Sequence, residues 1–292
     1  MNNSRKPWQK NVIFLLLMIC PQIAWLTPIK PAQHINGKIF TSLGEALKNP
    51  ESVTRLYLCG RKLQELSPEI GKLRNLQELN LIDNELICLP TEFAQLKKLK
   101  NLYLQFNQFT EVPKVVSQLP NLQYLSIASN FLVKLPANLS KLHKLTGLDV
   151  RGNKLKTLPH EFATMQNLIT LNLDNNLLRA LPECITHMQR LKMLELKNNR
   201  LKHLPESIKN LQSLLVLDMA GNHLEEIPHS LSELKNLVFL YLNKNQLTDF
   251  PQCVLQLKKL KLLHLKHNAM QITANHEKAL SFIPQVDFVS GK

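Results

Sequence analysis

The fold is decided by a stretch at residues 168–190, which reads LITLNLDNNLLRALPECITHMQR. Its first part alternates apolar residues from Leu168 to Leu173, a pattern typical of a short strand with one buried face. Its second part spaces apolar residues three to four apart from Leu178 to Met188, which suits a helical or 3₁₀ turn packing back onto the strand. The stretch therefore predicts one coil made of a strand and a short outer turn.

The same pattern recurs every 23 residues without insertion or deletion from Val53 to Lys259, and a tenth copy begins at Leu260. We number the coils 1 to 10 from Val53 and the positions within each coil 1 to 23. One coil cannot bury its apolar edge alone, so neighbours must stack with parallel strands about 4.8 Å apart. The sequence predicts an α/β solenoid, a horseshoe of ten repeats with a parallel concave sheet and short helical or 3₁₀ convex turns.

Two columns of this repeat are predicted to be structural. Position 9 is Asn in coils 2–10, and Asn has the donors and the acceptor needed to satisfy backbone groups where a strand turns a corner. Position 15 is Pro in coils 2–9, and Pro suits the start of the outer turn because it fixes φ and lacks an N–H. Coil 1 has Arg61 at position 9, as expected of an end coil.

The template L-x-x-L-x-L-x-x-N-x-L-x-x-L-P-x-x-I-x-x-L-x-x resembles the L-P type of leucine-rich repeat, found in bacterial repeat proteins and Ras-group intracellular proteins. The phrases FTSLGEALKNPE at 40–51 and PEIGKLRNLQEL at 68–79 are similar to bacterial members. The resemblance implies a protein-binding scaffold, and some bacterial members are exported and act on host cells. Certain bacterial effectors fuse such repeats to a ubiquitin-ligase domain. We do not expect that activity, because no such domain follows Lys292.

The N-terminal segment differs from the repeats. Three basic residues precede an apolar run at 12–20, which is the layout of a secretory signal peptide and is shorter than a membrane span of about 20 residues. Ala24 suits the residue before a cleavage site, although Gln22 is not the small residue expected two positions earlier. We predict a signal peptide at 1–26, with an uncleaved anchor as the alternative, and export to the periplasm, cell surface or medium.

The solenoid is expected to carry a cap at its N-terminal end, because a terminal coil exposes an apolar edge. In the segment 27–52, Ser42 and Glu45 have the spacing of a capping box. This predicts a short helix that covers coil 1 with Leu43 and Leu47.

A second cap is expected at 271–292, after the repeats at 53–270. Asn275 is predicted to cap a helix that carries Leu280 to the core, and residues 286–288 alternate like a last strand. With both caps present, we expect that no catalytic domain is missing.

The net charge is +14, which could indicate a nucleic acid or an anionic membrane as partner. The positions expected on the concave face, 2, 3, 5, 7 and 8, hold eight Lys or Arg and six Asp or Glu. Most of the basic charge therefore lies on other faces, where solvated surface is the simplest interpretation. Binding of polyanions such as lipopolysaccharide or nucleic acid through the basic faces is the alternative hypothesis.

Residues with potential chemistry do not form a recognisable site. His264 and His267 are the closest histidine pair and lack a third metal ligand. Asp149, Glu195 and Asp218 share position 5, and the adjacent pair, Glu195 and Asp218, is expected to raise each other's pKa. An open sheet offers no pocket for them. We predict no catalytic, cofactor or metal site.

The cysteines of the repeats are expected to stay free and to pack as small thiols within the coils. Cys184 and Cys253 lie three coils apart at one position, about 14 Å, beyond the ~7 Å limit between the Cα atoms of a disulfide. Cys59 and Cys88 are in adjacent coils and face different ways.

The best candidate for function is an apolar stripe at positions 2 and 3 of coils 7–10, which should point away from the core. Exposed apolar patches usually mark partner sites. The predicted partner-binding residues are Met193, Leu215, Val216, Val238, Phe239, Tyr241, Lys244, Lys261, Leu262 and Lys266. A weaker cluster consists of Tyr57, Tyr103, Phe106 and Tyr124. Coverage of the stripe by the C-terminal cap or by self-association is the alternative.

The sequence thus predicts a non-enzymatic, exported, monomeric scaffold that recognises a partner protein on its concave face. The identity of that protein is not specified by the sequence. No cofactor is expected, nucleic acid is disfavoured, and membrane contact is expected only through the N-terminal segment.

Overall fold

One continuous sheet of short parallel strands runs through the described part of the chain. The computed structural model describes residues 35–288, so the predicted signal peptide lies outside the described residues. The strands pair in chain order from β1 to β12. Their bounds are Ile39–Phe40, Arg55–Tyr57, Glu78–Asn80, Asn101–Tyr103, Tyr124–Ser126, Gly147–Asp149, Thr170–Asn172, Met193–Glu195, Val216–Asp218, Phe239–Tyr241, Leu262–His264 and Gln285–Asp287.

Strand register follows the repeat. Leu171 pairs with Leu194, and Leu194 pairs with Leu217, each at the same position of the next coil. The flanking segments add β1 and β12 at the two ends of the sheet. The predicted α/β solenoid and its repeat length are confirmed.

The outer turns are short, as predicted. Coils 1–5 and 7–9 have 3₁₀ turns at Pro68–Lys72, Thr91–Gln95, Lys114–Gln118, Ala137–Lys141, His160–Thr164, Glu206–Asn210, His229–Glu233 and Gln252–Gln256, and another lies at Pro50–Ser52. The α-helices are α1 (Leu43–Ala46), α2 (Glu183–Thr186) in coil 6, and α3 (Ala274–Ala279). Among the helices of residues 35–288, none has the length and apolar content of a membrane span.

The core runs along the whole solenoid and is filled by positions 1, 4 and 6. No side chain in these columns is more than 4% exposed. Each buried leucine stabilises the fold by about 2 kcal/mol relative to an exposed one. The alternation of the strand therefore places position 4 in the core and leaves positions 3 and 5 on the opposite, concave face.

The position-9 asparagines form the predicted ladder between coils. In coil 6, Asn176 Oδ1 accepts a 3.0 Å hydrogen bond from the Leu155 N–H of the preceding coil. Its Nδ2 donates to the carbonyls of Val150 and Leu173 at 3.1 and 3.0 Å. Arg61 of coil 1 donates instead to Thr41 O in the N-terminal cap, which ties the cap to the first coil.

The N-terminal cap contains the predicted helix. Ser42 Oγ accepts from the Glu45 N–H at 3.5 Å, while the Glu45 carboxylate pairs with Lys38 at 3.0 Å. Only one half of the capping box therefore forms. Leu43 and Leu47 pack against the core, as predicted.

The C-terminal helix begins two residues earlier than predicted, and the assignment of Asn275 as its N-cap is wrong. Thr273 caps α3: its Oγ1 accepts from the His276 N–H at 3.4 Å, and the Thr273 N–H donates to His276 Nδ1 at 3.3 Å. Histidine here takes the place that Glu or Gln holds in the usual capping box, so the spacing was not recognised. Leu280 is buried, and β12 is the last strand.

The four described cysteines differ in burial. All are free, but only Cys184 and Cys253 are buried, whereas Cys59 and Cys88 are exposed. The prediction of packed thiols is therefore wrong for Cys59 and Cys88, because positions 7 and 13 lie at the surface of the coil.

Candidate partner-binding surface

A row of apolar side chains lies on the concave face of coils 7–10. These side chains occupy position 3 of coils 7–10, in strands β8 to β11. They form a hydrophobic cluster of their own, distinct from the core. We call them the apolar row: Met193, Val216, Phe239 and Leu262. They lie outside the core, as the strand alternation predicts.

The exposure predicted for the apolar row is wrong. Its four side chains are only 3–9% exposed, because strands about 4.8 Å apart let consecutive side chains cover one another. Leu215, Val238 and Tyr241 pack against the row and are half-buried. The apolar surface open to a partner is therefore narrower than predicted and is formed mainly by these three residues.

The three predicted lysines differ in their surroundings. Lys244 is exposed at position 8 of coil 9, and Lys261 is exposed at position 2 of coil 10. Lys266 forms a 2.5 Å ion pair with Asp287 of β12. The positive rim of the surface is weaker than the sequence predicts, because the last strand supplies an acid to one of its lysines.

Tyr241 links the apolar row to polar neighbours. Its ring meets the His264 ring edge-on, with centroids 5.1 Å apart. Burial, together with Asp218 and Glu195, raises the pKa of Tyr241 to about 12. Burial lowers the pKa of His264. Both side chains are thus neutral at pH 7 and offer hydrogen bonds without charge.

Four acids of coils 5–8 lie together beside the apolar row, and we call them the carboxylate cluster: Asp149, Asp174, Glu195 and Asp218. Burial, followed by the charges of the other three acids, raises the pKa of Glu195 to about 8. Burial and the charge of Asp218 raise the pKa of Asp174 to about 7. Burial also raises the pKa of Asp149 and of Asp218. The predicted mutual effect is confirmed for Glu195, whose pKa burial and then Asp218 raise, but the pKa of Asp218 is raised by burial and not by Glu195.

Hydrogen bonds fix the orientation of these carboxylates. Asp149 accepts from Ser126 Oγ at 3.0 Å, and Asp174 accepts from the Lys197 N–H at 2.7 Å. Asp174 was missed in the sequence because it occupies position 7, not position 5. The signal was available, since both positions belong to the same concave face.

At the N-terminal end of the concave face, a polar group surrounds Glu78. The Tyr57 hydroxyl donates to Glu78. Arg55 contacts the Tyr57 oxygen at 2.7 Å and the Glu78 carboxylate at 3.4 Å. Asn101 donates to the other carboxylate oxygen at 3.4 Å. The polar groups of Tyr57 and Glu78 are thus already engaged within the chain.

The predicted aromatic cluster is only partly assembled. The rings of Tyr103 and Tyr124 lie 5.4 Å apart. Gly147 makes room for this pair, since a Cβ there would lie 2.8 Å from Tyr124 Cδ2. Phe106, predicted to belong with the tyrosines, is exposed at position 8 instead.

Metal-ligating side chains are dispersed in the described residues. Within 35–288, no group of three His, Cys, Asp or Glu side chains is arranged to hold a metal ion. His264 contacts Tyr241, and His267 is exposed with a left-handed backbone, φ 60°.

The family follows from the repeats. The sequence profile of the leucine-rich repeat region matches residues 53–131, 113–199 and 182–281. The chain belongs to the leucine-rich repeat family. Leucine-rich repeat proteins are protein-binding scaffolds and typically non-enzymatic. A comparison with curated proteins gave no significant sequence match.

Solved structures of leucine-rich repeat proteins superimpose on this one. A protein of Leptospira interrogans has a TM-score of 0.78 and 31% identity, covering 88% of this chain and 73% of its own. The plant peptide hormone receptor RGFR1 in complex with RGF2 has a TM-score of 0.61 and 25% identity, covering 82% and 42%. The functional domain of InlJ from Listeria monocytogenes has a TM-score of 0.60 and 23% identity, covering 80% and 53%.

Proposed function

We propose that this leucine-rich repeat protein is an exported, non-enzymatic scaffold that binds a partner protein on its concave face. The observation that carries the proposal is the apolar row, which packs apart from the core. The same position carries Glu78, Asn101 and Thr170 in coils 2, 3 and 6, so the solenoid does not require apolar side chains there.

The contact surface for the partner is formed by Leu215, Val238 and Tyr241. Half-buried apolar and aromatic side chains of this kind are typical of interface centres. Lys244 and Lys261 lie exposed beside them and would favour acidic groups at the rim of the partner. The RGF2 complex of RGFR1 supports a peptide or protein as the class of ligand for this fold.

The test replaces side chains that are open to a partner. Phe239→Asp would place a carboxylate where the side chain is 3% exposed and would confound loss of binding with unfolding. We therefore choose Leu215→Ser with Val238→Ser. We expect the double variant to fold, with a loss of about 1 kcal/mol of stability for each substitution, and to lose the partner.

The measurement is capture of proteins from cell extract or medium by the immobilised full chain, quantified by mass spectrometry. Ile169→Ser is the matched control, because Ile169 is half-buried at the same position 2 in coil 6 and is not packed against the apolar row. A partner captured by the wild type and the control, and lost by the double variant, supports the proposal. Unchanged capture by the folded double variant places the site elsewhere.

Export is proposed from the basic and apolar layout of the first 26 residues. The test is the N-terminal mass of the protein recovered from periplasm, cell surface and medium. A mature chain that begins after residues 24–26 supports a cleaved signal peptide. An uncut chain in the membrane fraction supports the anchor. Recovery of the intact chain only from cytoplasm would exclude export, and with it a role in contact with host cells.

A further inference from the structure

The net charge of +14 is not explained by the concave face. Six of the basic residues lie on the flank that follows the strands, at positions 10, 12 and 13 of coils 4–7. These positions carry no Asp or Glu in the four coils. Their six cations are exposed, and we call them the basic flank: Lys134, Lys154, Lys156, Arg179, Arg200 and Lys202.

A cleft lies within the basic flank. Lys156, Arg179 and Arg200 line it together with Leu177, and its volume is about 190 Å³. In the part of the chain that the structure describes, no carboxylate lies within ion-pair distance of these three cations. Like charges held this close repel one another, so an anion in the cleft would relieve their repulsion.

Large apolar side chains are exposed on coils 2–4, three of them at positions 10 and 12 of the same flank and one, Phe106, at position 8. Ile87, Phe106, Phe131 and Val133 are between 48% and 63% exposed, and we call them the apolar flank. The two regions adjoin each other, because Lys154 Nζ lies 5.4 Å from the centroid of the Phe131 ring. Adjoining exposed apolar side chains of this size mark an interaction surface.

Phe106 is held in an unfavourable backbone conformation. Position 8 has positive φ in every coil, and Gly, Asn, Asp or Ser occupies it in most of them. Phe106 has φ 55° there, which is uncommon for an aromatic residue and costs stability. The side chain is 57% exposed, so burial in the core does not offset this cost.

We propose that this flank docks on an anionic lipid surface. The basic flank binds headgroup phosphates, with the cleft of Lys156, Arg179 and Arg200 at its centre, and the apolar flank enters the interface between headgroups and acyl chains. Cations beside exposed apolar side chains are the arrangement that binds such surfaces, through phosphate attraction and apolar burial together. The site lies apart from the apolar row and does not depend on the function proposed for it.

The apolar flank favours lipid over other anionic partners. Single-stranded nucleic acid would use aromatic rings as stacking platforms, which leaves Ile87 and Val133 without a role. An acidic protein would also pair with the cations. However, no acid lies among the six cations at positions 10, 12 and 13, so their charges would not fix the orientation of a folded protein partner. A fluid surface of phosphates needs no such register.

The test is co-sedimentation of the full chain with vesicles. One set contains equal parts phosphatidylglycerol and phosphatidylcholine, and the other contains phosphatidylcholine alone. We expect binding at least about tenfold stronger to the anionic set, decreasing as salt is added. Binding to the neutral set measures the contribution of the N-terminal apolar run, which is the same in all variants.

Two variants test the two parts of the surface. Lys156→Glu with Arg179→Glu is expected to weaken anionic binding at least about tenfold, since each cation near the surface contributes about a factor of five. Lys209→Glu with Lys235→Glu is the matched control, because it changes the net charge equally at exposed lysines of the outer turns and should bind as the wild type does.

Phe106→Asn tests the apolar part without risk to the fold. Asn tolerates positive φ, so we expect this variant to be more stable than the wild type and yet to bind anionic vesicles several-fold more weakly. Loss of binding in a stabilised protein cannot be attributed to unfolding.

Three results would overturn the proposal. The wild type could bind the anionic and neutral vesicles equally. The two charge-reversal double variants could weaken vesicle binding to the same extent, which would show that binding depends on the net charge of the protein and not on the basic flank. Finally, a single-stranded oligonucleotide could bind through Lys156 and Arg179 while vesicles do not, which would make the flank a nucleic-acid site.

Discussion

Asn172 donates a 2.7 Å hydrogen bond to Glu195 Oε2 across the step from coil 6 to coil 7. In the sequence Asn172 interrupts the acids of position 5, but in the structure it helps to hold Glu195 within the carboxylate cluster. The pKa of Glu195 is raised to about 8 there. The concave face therefore carries protonated carboxyl groups at a pH where exposed carboxyl groups are ionised.

Stability should fall as pH rises through the range in which these groups titrate. The unfolded chain releases the Glu195 proton near its ordinary pKa of 4.5, whereas the folded chain holds it to about 8. Between these values the folded state binds more protons, so the free energy of unfolding decreases with pH. We expect a loss on the order of 2 kcal/mol between pH 5 and pH 8, measured by urea unfolding.

Glu195→Gln should flatten this profile, because it removes a group whose pKa is raised to about 8 in the folded state. Asp249→Asn, at an exposed position, should leave the slope unchanged. A wild-type profile that is flat, or that rises with pH, would show that Glu195 is ionised in the fold.

The asparagine ladder should be most costly to break in the middle of the solenoid. Asn153 Oδ1 accepts from the Leu132 N–H at 2.9 Å, and its Nδ2 donates to Val150 O at 2.9 Å. Asn153→Ala leaves these groups buried without partners, at about 3 kcal/mol. Asn268→Ala should cost less, since Asn268 is itself half-buried in the last coil, whereas Asn153 is buried. Equal losses in urea unfolding would contradict this account.

At position 8, replacing a glycine and introducing a glycine should have opposite effects on the stability of the protein. Gly221 has φ 68°, and a Cβ there would lie 2.3 Å from Asn198 Oδ1. Gly221→Ala should therefore destabilise the protein by about 1–2 kcal/mol. Lys244 has φ 58°, so Lys244→Gly should stabilise the protein by about 0.5–1 kcal/mol. Thermal unfolding of both variants tests the assignment, and a stabilising Gly221→Ala would contradict it.

Thiol reactivity should divide the cysteines by burial. Burial raises the pKa of Cys184 and of Cys253 to about 11, so both should resist a thiolate-specific reagent at pH 8. Cys59 and Cys88 are exposed and should react in the native protein. Peptide mapping after native labelling checks this, with labelling in urea as the control for all four sites. Native labelling of Cys184 would show that coil 6 opens.

The sequence was informative where one position meets the same surroundings in every coil. The leucines of the core and the asparagines of the ladder were predicted correctly, because a repeat places each of them against its own copies in the neighbouring coils. It was misleading where a residue departs from the consensus. Thr273 lacks the usual capping-box pattern because His276 replaces the acid, and Phe106 lies apart from the tyrosines because it occupies another position of the coil.

The candidate site was predicted in position but not in exposure. The alternation of β10 places Phe239 outside the core, and the structure agrees. Its 3% exposure depends on how Val216 and Leu262 pack against it from neighbouring strands, which a pattern within one strand does not contain.

The sequence by itself determined the solenoid, its 23-residue step and the face on which each strand side chain lies, because these follow from local periodicity repeated along the chain. Tertiary structure alone decided which surface groups are desolvated or left unpaired. Protonation of Glu195, the neutralisation of Lys266 by Asp287, and the cleft between Lys156 and Arg200 all arise between coils. Desolvation and Coulomb interaction depend on distances between residues far apart in the chain, and stacking of the coils sets those distances.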